Sequence, residues 1–394
     1  MNQENKILDQ LKGPPAYENW RACLSGHSTQ TADEYPLYTD THVTSDEPCI
    51  AYGPYQFLNN VFLSSPKQEL RPAIILRVEI HLDYNPNLPP NLGKTDSELF
   101  HGGSLSDEIA ALGSLALGIR LKAGGVSRMF NNSNPRGMPV GWDPKPEPVL
   151  LKVDQQILPT AIGTHCLEDI NPIALLPFLS RDAAIALTRA ARLYQDAVWI
   201  AESEPALSWV MLVSAAEAAA EFWRSEKEAP LDTLKISQPK LLALLEKTGI
   251  EDLPSRVADH LAVLLGSTRR FRDFLLEFMS PPPPKRPPEW AQHSWDTTAL
   301  KQTLTRIYGY RSEALHSGKP FPAPMCHPPL SKSEWEAPAE KPTGFVITTM
   351  GGTWVAEDIP MHLHTFAYIV RSALLKWWVA STKENEAMKS ERST

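Results

Sequence analysis

Tyr308-Gly309-Tyr310-Arg311-Ser312-Glu313-Ala314-Leu315-His316-Ser317-Gly318 closes a helix and sets an arginine and a histidine five residues apart near its end. Upstream, Leu300, Leu304 and Ile307, with Tyr308 beside them, recur at the three-and-four spacing of a buried helical stripe. Gly318 and then Pro320 supply the stop. At about 100° per residue, Arg311 and His316 stand roughly 140° apart around an ideal axis. They share no narrow face, but both long side chains can converge on a cleft, particularly if the last turn loosens. The carbonyl ends of the helix favour a protonated imidazole there. An arginine for an anion and a histidine for a proton make a plausible acid–base pair.

Working upstream, two long helices are expected. Arg181–Ser203 is rich in alanine and leucine, and Glu204-Pro205 opens a second helix running to Trp223. The second is apolar nearly all round, so it should be packed on several sides. Glu217 is the anomaly within it, because a carboxylate there must be paired or sit at a gap. Further helices are expected over Pro239–Thr248 and Leu253–Met279. The latter carries Arg269, Arg270 and Arg272 around Phe271, a cluster able to follow RNA phosphates with a base stacked on Phe271, or simply the solvated face of an amphipathic helix. Ser280–Pro288 reads as a stiff polyproline spacer. Downstream, Gly344–Glu357 reads as a hairpin turning at Gly351-Gly352, and Met361–Thr382 as a last helix before a charged, frayed tail over 383–394. His362 and His364 read as structural residues.

The first half has another texture. Residues 1–45 read as a polar arm with a short helix near Ala16–Leu24. Cys49–Leu63 and Pro72–Leu82 are strand candidates; alternation in the second puts Leu76, Val78 and Ile80 on one side and Arg77, Glu79 and His81 on the solvent side. Pro86–Thr95 is a proline-rich loop, Ser106–Leu121 a helix capped by Ser106, and Val149–Val153 a further strand. The expected architecture is an α+β domain over residues 1–175, then an all-α domain over 181–382 carrying a small β-hairpin.

Composition narrows the class. The chain has 394 residues, 42% hydrophobic and 21% charged, with a net charge of −8. That is an ordinary globular balance, and it argues against a general duplex-binding surface. No apolar run reaches the ~20 residues of a membrane span, and the N-terminus lacks a secretory pattern. A cytoplasmic protein without membrane contact is expected. The four cysteines form no C-x-x-C. His165-Cys166 and Cys326-His327 are adjacent pairs, a spacing unsuited to structural zinc. The glycine pairs Gly102-Gly103 and Gly124-Gly125 match no phosphate-loop motif. Neither a metal nor a cofactor is called for.

Arg311-Ser-Glu-Ala-Leu-His316 matches the R-x4-6-H signature of HEPN domains, all-helical modules of many prokaryotic RNases, toxins and phage-defence proteins. The wording Tyr-x-x-Arg-Ser-x-x-x-His-x-Gly most resembles the ApeA-like HEPN group, over roughly residues 181–380. The resemblance implies a HEPN-like bundle and metal-independent RNA cleavage, with the 2′-hydroxyl attacking the neighbouring phosphate. His316 would be the general acid or base, and Arg311 would hold the phosphate. Glu217 would approach Arg311, as an acidic residue on the equivalent helix often does. Ser312 stands where active members often carry Asn, Asp or His; it can hydrogen-bond a phosphate but cannot carry a proton in the same way. Tyr308, Tyr310 and Lys319 join the three arginines as candidate RNA contacts. A homodimer cleaving tRNA or mRNA as a toxin-like or antiphage effector is implied, with the first half sensing a trigger. The alternatives are a non-catalytic RNA- or nucleotide-binding module, and a purely structural Arg311–Glu217 contact.

Overall fold

The computed structural model describes residues 13–29, 31–59, 69–82, 103–141, 143–151, 156–224, 229–261 and 266–391. The proline-rich loop at 86–95 and the ends of two strand candidates, 60–63 and 152–153, lie outside them. The first half is organised on a strand that the sequence hides. Within the stretch read as an arm, helix α1 (Pro15–Leu24) is followed by β1 (Thr31–Thr39), which lies inside the main sheet. β1 pairs antiparallel with β5 (Arg71–Ile80) on one side, and with β6 (Lys122–Ala123) and β7 (Arg128–Asn131) on the other. Pro36 disguises it, since proline lacks a ladder donor and is rare in central strands. It is tolerated where β1 changes neighbour: β7 pairs as far as Glu34, and β6 begins at Leu37. The Pro36 carbonyl still accepts from Gly124 N at 2.8 Å.

Two antiparallel hairpins complete this sheet, β3 (Cys49–Tyr52) with β4 (Tyr55–Asn59), and β7 with β8 (Asn134–Pro139). The order is β3-β4-β5-β1-β7-β8, with β6 also on β1. A separate parallel pair joins β2 (His42–Thr44) to β9 (Thr164–Cys166). Residues 149–151 of the expected strand join no sheet, and Val149 and Leu151 are exposed; a short apolar run without partners is not a strand. In β5 the alternation holds for Leu76 and Val78, both fully buried. His81 departs from it. Its amide donates to Asn19 Oδ1 at 2.8 Å and its Nδ1 lies 2.6 Å from the His27 carbonyl, so α1 and the turn after it cover a position read as solvated.

Helix α2 (Leu105–Leu117) is buried along nearly its whole length. Its N-cap is Ser104 rather than Ser106: the Asp107 carboxylate accepts from the Ser104 amide at 3.1 Å and its hydroxyl at 2.8 Å. The helix ends four residues earlier than expected because Gly118 takes a left-handed conformation, φ 72°. A Cβ at Gly118 would also stand 2.8 Å from Arg371 Nε. After 3-10 turns over Leu167–Phe178, the long helices begin with α3 (Arg181–Ile200), capped by Ser180, and α4 (Pro205–Arg224).

Three short helices follow, α5 (Pro230–Ser237), α6 (Pro239–Glu246) and α7 (Leu253–Leu261), packed around Leu234, Leu242 and Ala258 as a small separate cluster. Then come α8 (Ser267–Phe278) and α9 (Thr297–Ser317). The hairpin of β10 (Val346–Thr349) and β11 (Gly352–Val355) precedes α10 (Leu363–Glu391). The polyproline segment lies against α10, where Tyr368 donates to the Pro281 carbonyl at 2.9 Å and Lys376 to that of Met279 at 2.9 Å. The hairpin turns one residue earlier than expected, at Met350-Gly351, both with positive φ as a type I′ turn requires. The expected frayed tail is helical through Glu391.

The result is an α+β chain with an antiparallel sheet and a helical C-terminal region. One buried apolar cluster runs through both, from Ala16 and Leu37 through Leu112 and Leu187 to Trp209, Phe271, Phe366 and Trp378. The textural break at 175–181 is therefore bridged by packing, with α2 lying against α3 and the Leu167–Phe178 turns.

Candidate functional site

Asp296 starts α9 by accepting from the amides of Thr298 and Ala299 at 2.9 and 3.1 Å, and Gly318 stops it at φ 66°. Between them Leu300, Leu304 and Ile307 point into the core. That phase decides where the motif residues go. Arg311 lies one turn beyond Ile307 and two beyond Leu304, so it emerges on the core side, against α4. His316 leaves on the opposite, exposed flank. The helix stays regular through Ser317, so the loosening that would bring the two together does not occur. Within one chain Arg311 and His316 occupy different flanks.

What gathers around Arg311 is a three-residue cluster. Its Nη2 lies 2.7 Å from Glu217 Oε2. The other Glu217 oxygen accepts from the Tyr308 hydroxyl at 2.7 Å. Arg311 also sits 5.6 Å from the centre of the Tyr308 ring. The anomalous carboxylate of α4 is thus satisfied by two residues of α9. The pair is neither sealed nor open, each side chain being 20% exposed. Arg311 Nε is buried and finds no partner among the described residues. Burial, reinforced by the bond to Glu217, pushes the Tyr308 phenol up to about 12, so it remains a donor at any working pH. A small pocket of about 190 Å³ adjoins the pair, lined by Glu217, Glu221, Ser267 and Arg270.

Tyr308→Phe isolates the hydroxyl while keeping the ring, whose centre is 5.3 Å from that of Phe271. Loss of a hydrogen bond to a charged group should cost about 1.5–3 kcal/mol, read from a urea midpoint with an unchanged far-UV spectrum. A cost below about 0.5 kcal/mol would mean that the hydroxyl is idle.

The remaining candidates are distributed more widely. Phe271 cannot stack on a base: it is fully buried, packed on Tyr308 and Phe366. The stripe Phe271, Phe274, Leu275 explains this, being the core face of α8. Its arginines flank that face. Arg272 Nη2 is 3.1 Å and Arg269 Nε 3.5 Å from the Asp273 carboxylate, while Arg270 Nη2 reaches the Ser267 hydroxyl at 3.4 Å. Tyr310 leaves the other side of α9, donates to the Asp358 carbonyl at 2.6 Å, and is pushed up to about 12, chiefly by burial. Lys319 pairs with Glu313 at 2.7 Å on open surface. Ser312 is half-buried.

A second surface was not expected from the motif. Along the exposed flank of α9, Arg272, Lys301, Gln302, Thr305, Arg306 and Gly309 line an open groove of about 630 Å³. Three cations and one carboxylate, Glu313, border it. By helical phase His316 stands on the same flank, above Gly309 and Ser312. The sequence signal was present in the polar stripe 298, 301, 302, 305, 309, but the stripe resembled ordinary solvated surface.

Among the described residues, no three His, Cys, Asp or Glu side chains cluster to hold a metal, and no helix is long and apolar enough to cross a membrane. Compared with described protein families, curated proteins and solved structures, the chain matches none.

Proposed function

We propose that this chain is a metal-independent endoribonuclease of HEPN type, acting on tRNA or mRNA as a toxin-like or antiphage effector. The observation that carries the reading is the Glu217–Arg311 contact between α4 and α9. The resemblance implies such a carboxylate from the motif alone, and Glu217 is an otherwise unexplained charge on an apolar helix. His316, exposed beside a cation-bordered groove, is free to exchange protons with a strand lying there.

The chemistry explains why two copies would be needed. The ribose 2′-oxygen bonds to phosphorus and the 5′-oxygen leaves, giving a 2′,3′-cyclic phosphate and a 5′-hydroxyl. One proton leaves the 2′-hydroxyl, and another must reach the departing oxygen. A single imidazole on the far flank from Arg311 serves one of these roles at a time. Two facing α9 helices would supply two imidazoles, one for each role, with arginine stabilising the phosphorane charge.

The test is incubation of the purified protein with tRNA and total RNA in EDTA, beside His316→Ala. Cleavage to cyclic-phosphate ends is expected, reduced about 10²–10⁴-fold in the variant, the usual contribution of a general acid or base. Sedimentation of the active species should give twice the chain mass. The alternative, a non-catalytic RNA- or nucleotide-binding module, draws on the separation of Arg311 and His316 onto different flanks of α9, which leaves neither beside the other for a shared catalytic step. RNA affinity that falls with salt, without any cleaved product, would decide for it.

A further inference from the structure

Beyond the motif, on the far side of Tyr310, a second depression opens between the hairpin and the Lys319–Ala323 turn. Its volume is about 640 Å³, within the ~300–1,000 Å³ range of small-molecule sites. Its walls are aromatic and rigid. Phe321, nearly buried, forms the floor: its ring stacks on Trp209 at 5.3 Å and 13°, and Tyr310 meets it edge-on at 6.0 Å. The Tyr310 hydroxyl is pinned to the Asp358 carbonyl, so that ring cannot swing away. Opposite stands Trp354 of β11, its ring lying across the turn so closely that a Cβ on Gly352 would be 2.4 Å from it. Pro320 and Pro322 line the remaining wall.

Polar groups occur at the rim and differ in sign. The Asp358 carboxylate is half exposed, with Arg306 Nη2 as its nearest cation at 3.8 Å. An ionised carboxylate offers only acceptors. Lys319 is held by Glu313 in an exposed pair, a weak contact readily exchanged for a phosphate. Flat apolar walls, an acceptor pair at one edge and an exchangeable cation at the mouth define one ligand chemistry. It is a planar heterocycle with adjacent N–H donors and an anionic tail.

We propose that this pocket holds one unstacked guanine base of single-stranded RNA, with Trp354 and Tyr310 against the ring, Asp358 accepting from its N1–H and N2–H edge, and Lys319 on the adjoining phosphate. Guanine is the base whose Watson–Crick edge presents two neighbouring donors to one carboxylate. Unpaired bases are read by aromatic stacking together with hydrogen bonds to that edge. Tyr310 belongs to this pocket and to the groove along α9. A strand with its base seated here therefore has its backbone directed toward Arg306, Lys301 and the His316 flank. The inference rests on the ribonuclease reading for the nature of the polymer, and on the pocket alone for the base.

The experiment is equilibrium dialysis of the full chain against guanosine, adenosine and cytidine 5′-monophosphates, with no cleavage involved. GMP should bind in preference to AMP and CMP. Trp354→Leu should weaken GMP binding about tenfold, the scale of one lost base–aromatic stack. Asp358→Asn, a surface change that leaves the walls intact, should bring GMP down to the level of AMP. Failure of GMP to bind, equal binding of the three nucleotides, or a GMP preference that survives Asp358→Asn would each overturn the guanine pocket. His316-dependent RNA cleavage without GMP binding would sink this inference and leave the ribonuclease reading standing. GMP binding by a protein that cleaves no RNA would do the reverse.

Discussion

Arg120→Met should destabilise the fold by about 3–5 kcal/mol, the usual cost of removing one partner from a buried ion cluster. Arg120 follows the glycine that ends α2, and its side chain is 1% exposed. Its Nη1 lies 2.8 Å from Asp40 Oδ2, its Nη2 2.6 Å from Glu202 Oε1, and its Nε donates to the Val198 carbonyl at 3.0 Å. Asp40 follows the central strand, Val198 lies in the last turn of α3 and Glu202 just past its end, so one guanidinium joins the sheet to the ends of α2 and α3. Without it two nearly buried carboxylates face each other. Glu202 keeps some support, since it also accepts from the amides of Ile157 and Leu158 at 2.6 and 3.1 Å. Asp40 keeps less, its Oδ1 being buried without a partner among the described residues. Lysine should not rescue, because an ammonium cannot reproduce the three-pronged fork. Adding Asp40→Asn to Arg120→Met should recover part of the loss by removing a stranded charge. Urea midpoints at constant slope would measure this; a loss below about 1 kcal/mol would show that water reaches the cluster.

Mild acid is the second large effect. His293, His362 and His364 are buried where the segment before α9, the loop at 327–343 and the start of α10 meet. Burial lowers all three, His362 to about 3 from 6.5. His364 Nε2 lies 2.8 Å from the Ala339 carbonyl, and His293 Nδ1 3.1 Å from that of Pro360. His327 and Lys341 add like charge nearby, while Glu340 opposes it, though Arg286 occupies that carboxylate at 2.6 Å. A histidine lowered on folding contributes stability that is complete above its unfolded value and lost as pH falls toward the folded one. The window is thus about 6.5 down to about 3 for His362. That residue alone should remove about 2–3 kcal/mol by pH 4.5. Glu108 works against this: burial has pushed its carboxyl up to about 8, so the fold loses stability as pH rises from about 4.5 to about 8. Comparison with His362→Phe cancels that contribution. Relative to the variant, the wild type should lose stability between pH 6.5 and 4.5, and parallel curves would show that His362 does not titrate there.

The parts of the molecule readable in advance were those where local chemistry and packing agree. Leu300, Leu304, Ile307 and Gly318 place α9 because the stripe that forms a helix is also the stripe it buries. Glu217 was conspicuous because α4 is otherwise apolar, and its partners proved to be the nearest polar groups of α9. β1 was illegible for the converse reason. Pro36, Asp33 and Glu34 oppose a central strand locally, and only the gap between β6 and β7, with Arg77 Nη2 2.5 Å from Glu34 Oε1, makes them acceptable. His81 looked solvated because alternation reports one sheet face and says nothing of a helix laid on the other. The aromatic pocket was invisible since Tyr310, Phe321 and Trp354 belong to no common pattern, and loop and hairpin meet only in three dimensions.

Arg371 on α10 donates from Nε to the Leu115 carbonyl at 2.9 Å, and from a terminal nitrogen to that of Ala116. The last helix therefore finishes the C-terminus of α2, across 256 positions of sequence. On a ribosome adding roughly 5–20 residues per second, about 13–51 seconds separate the synthesis of these two partners. Until Arg371 is made, the Leu115 and Ala116 carbonyls lack the donor that satisfies them in the fold. A chain assembled in this order closes the end of α2 only after the helices from α3 to α9 have been made.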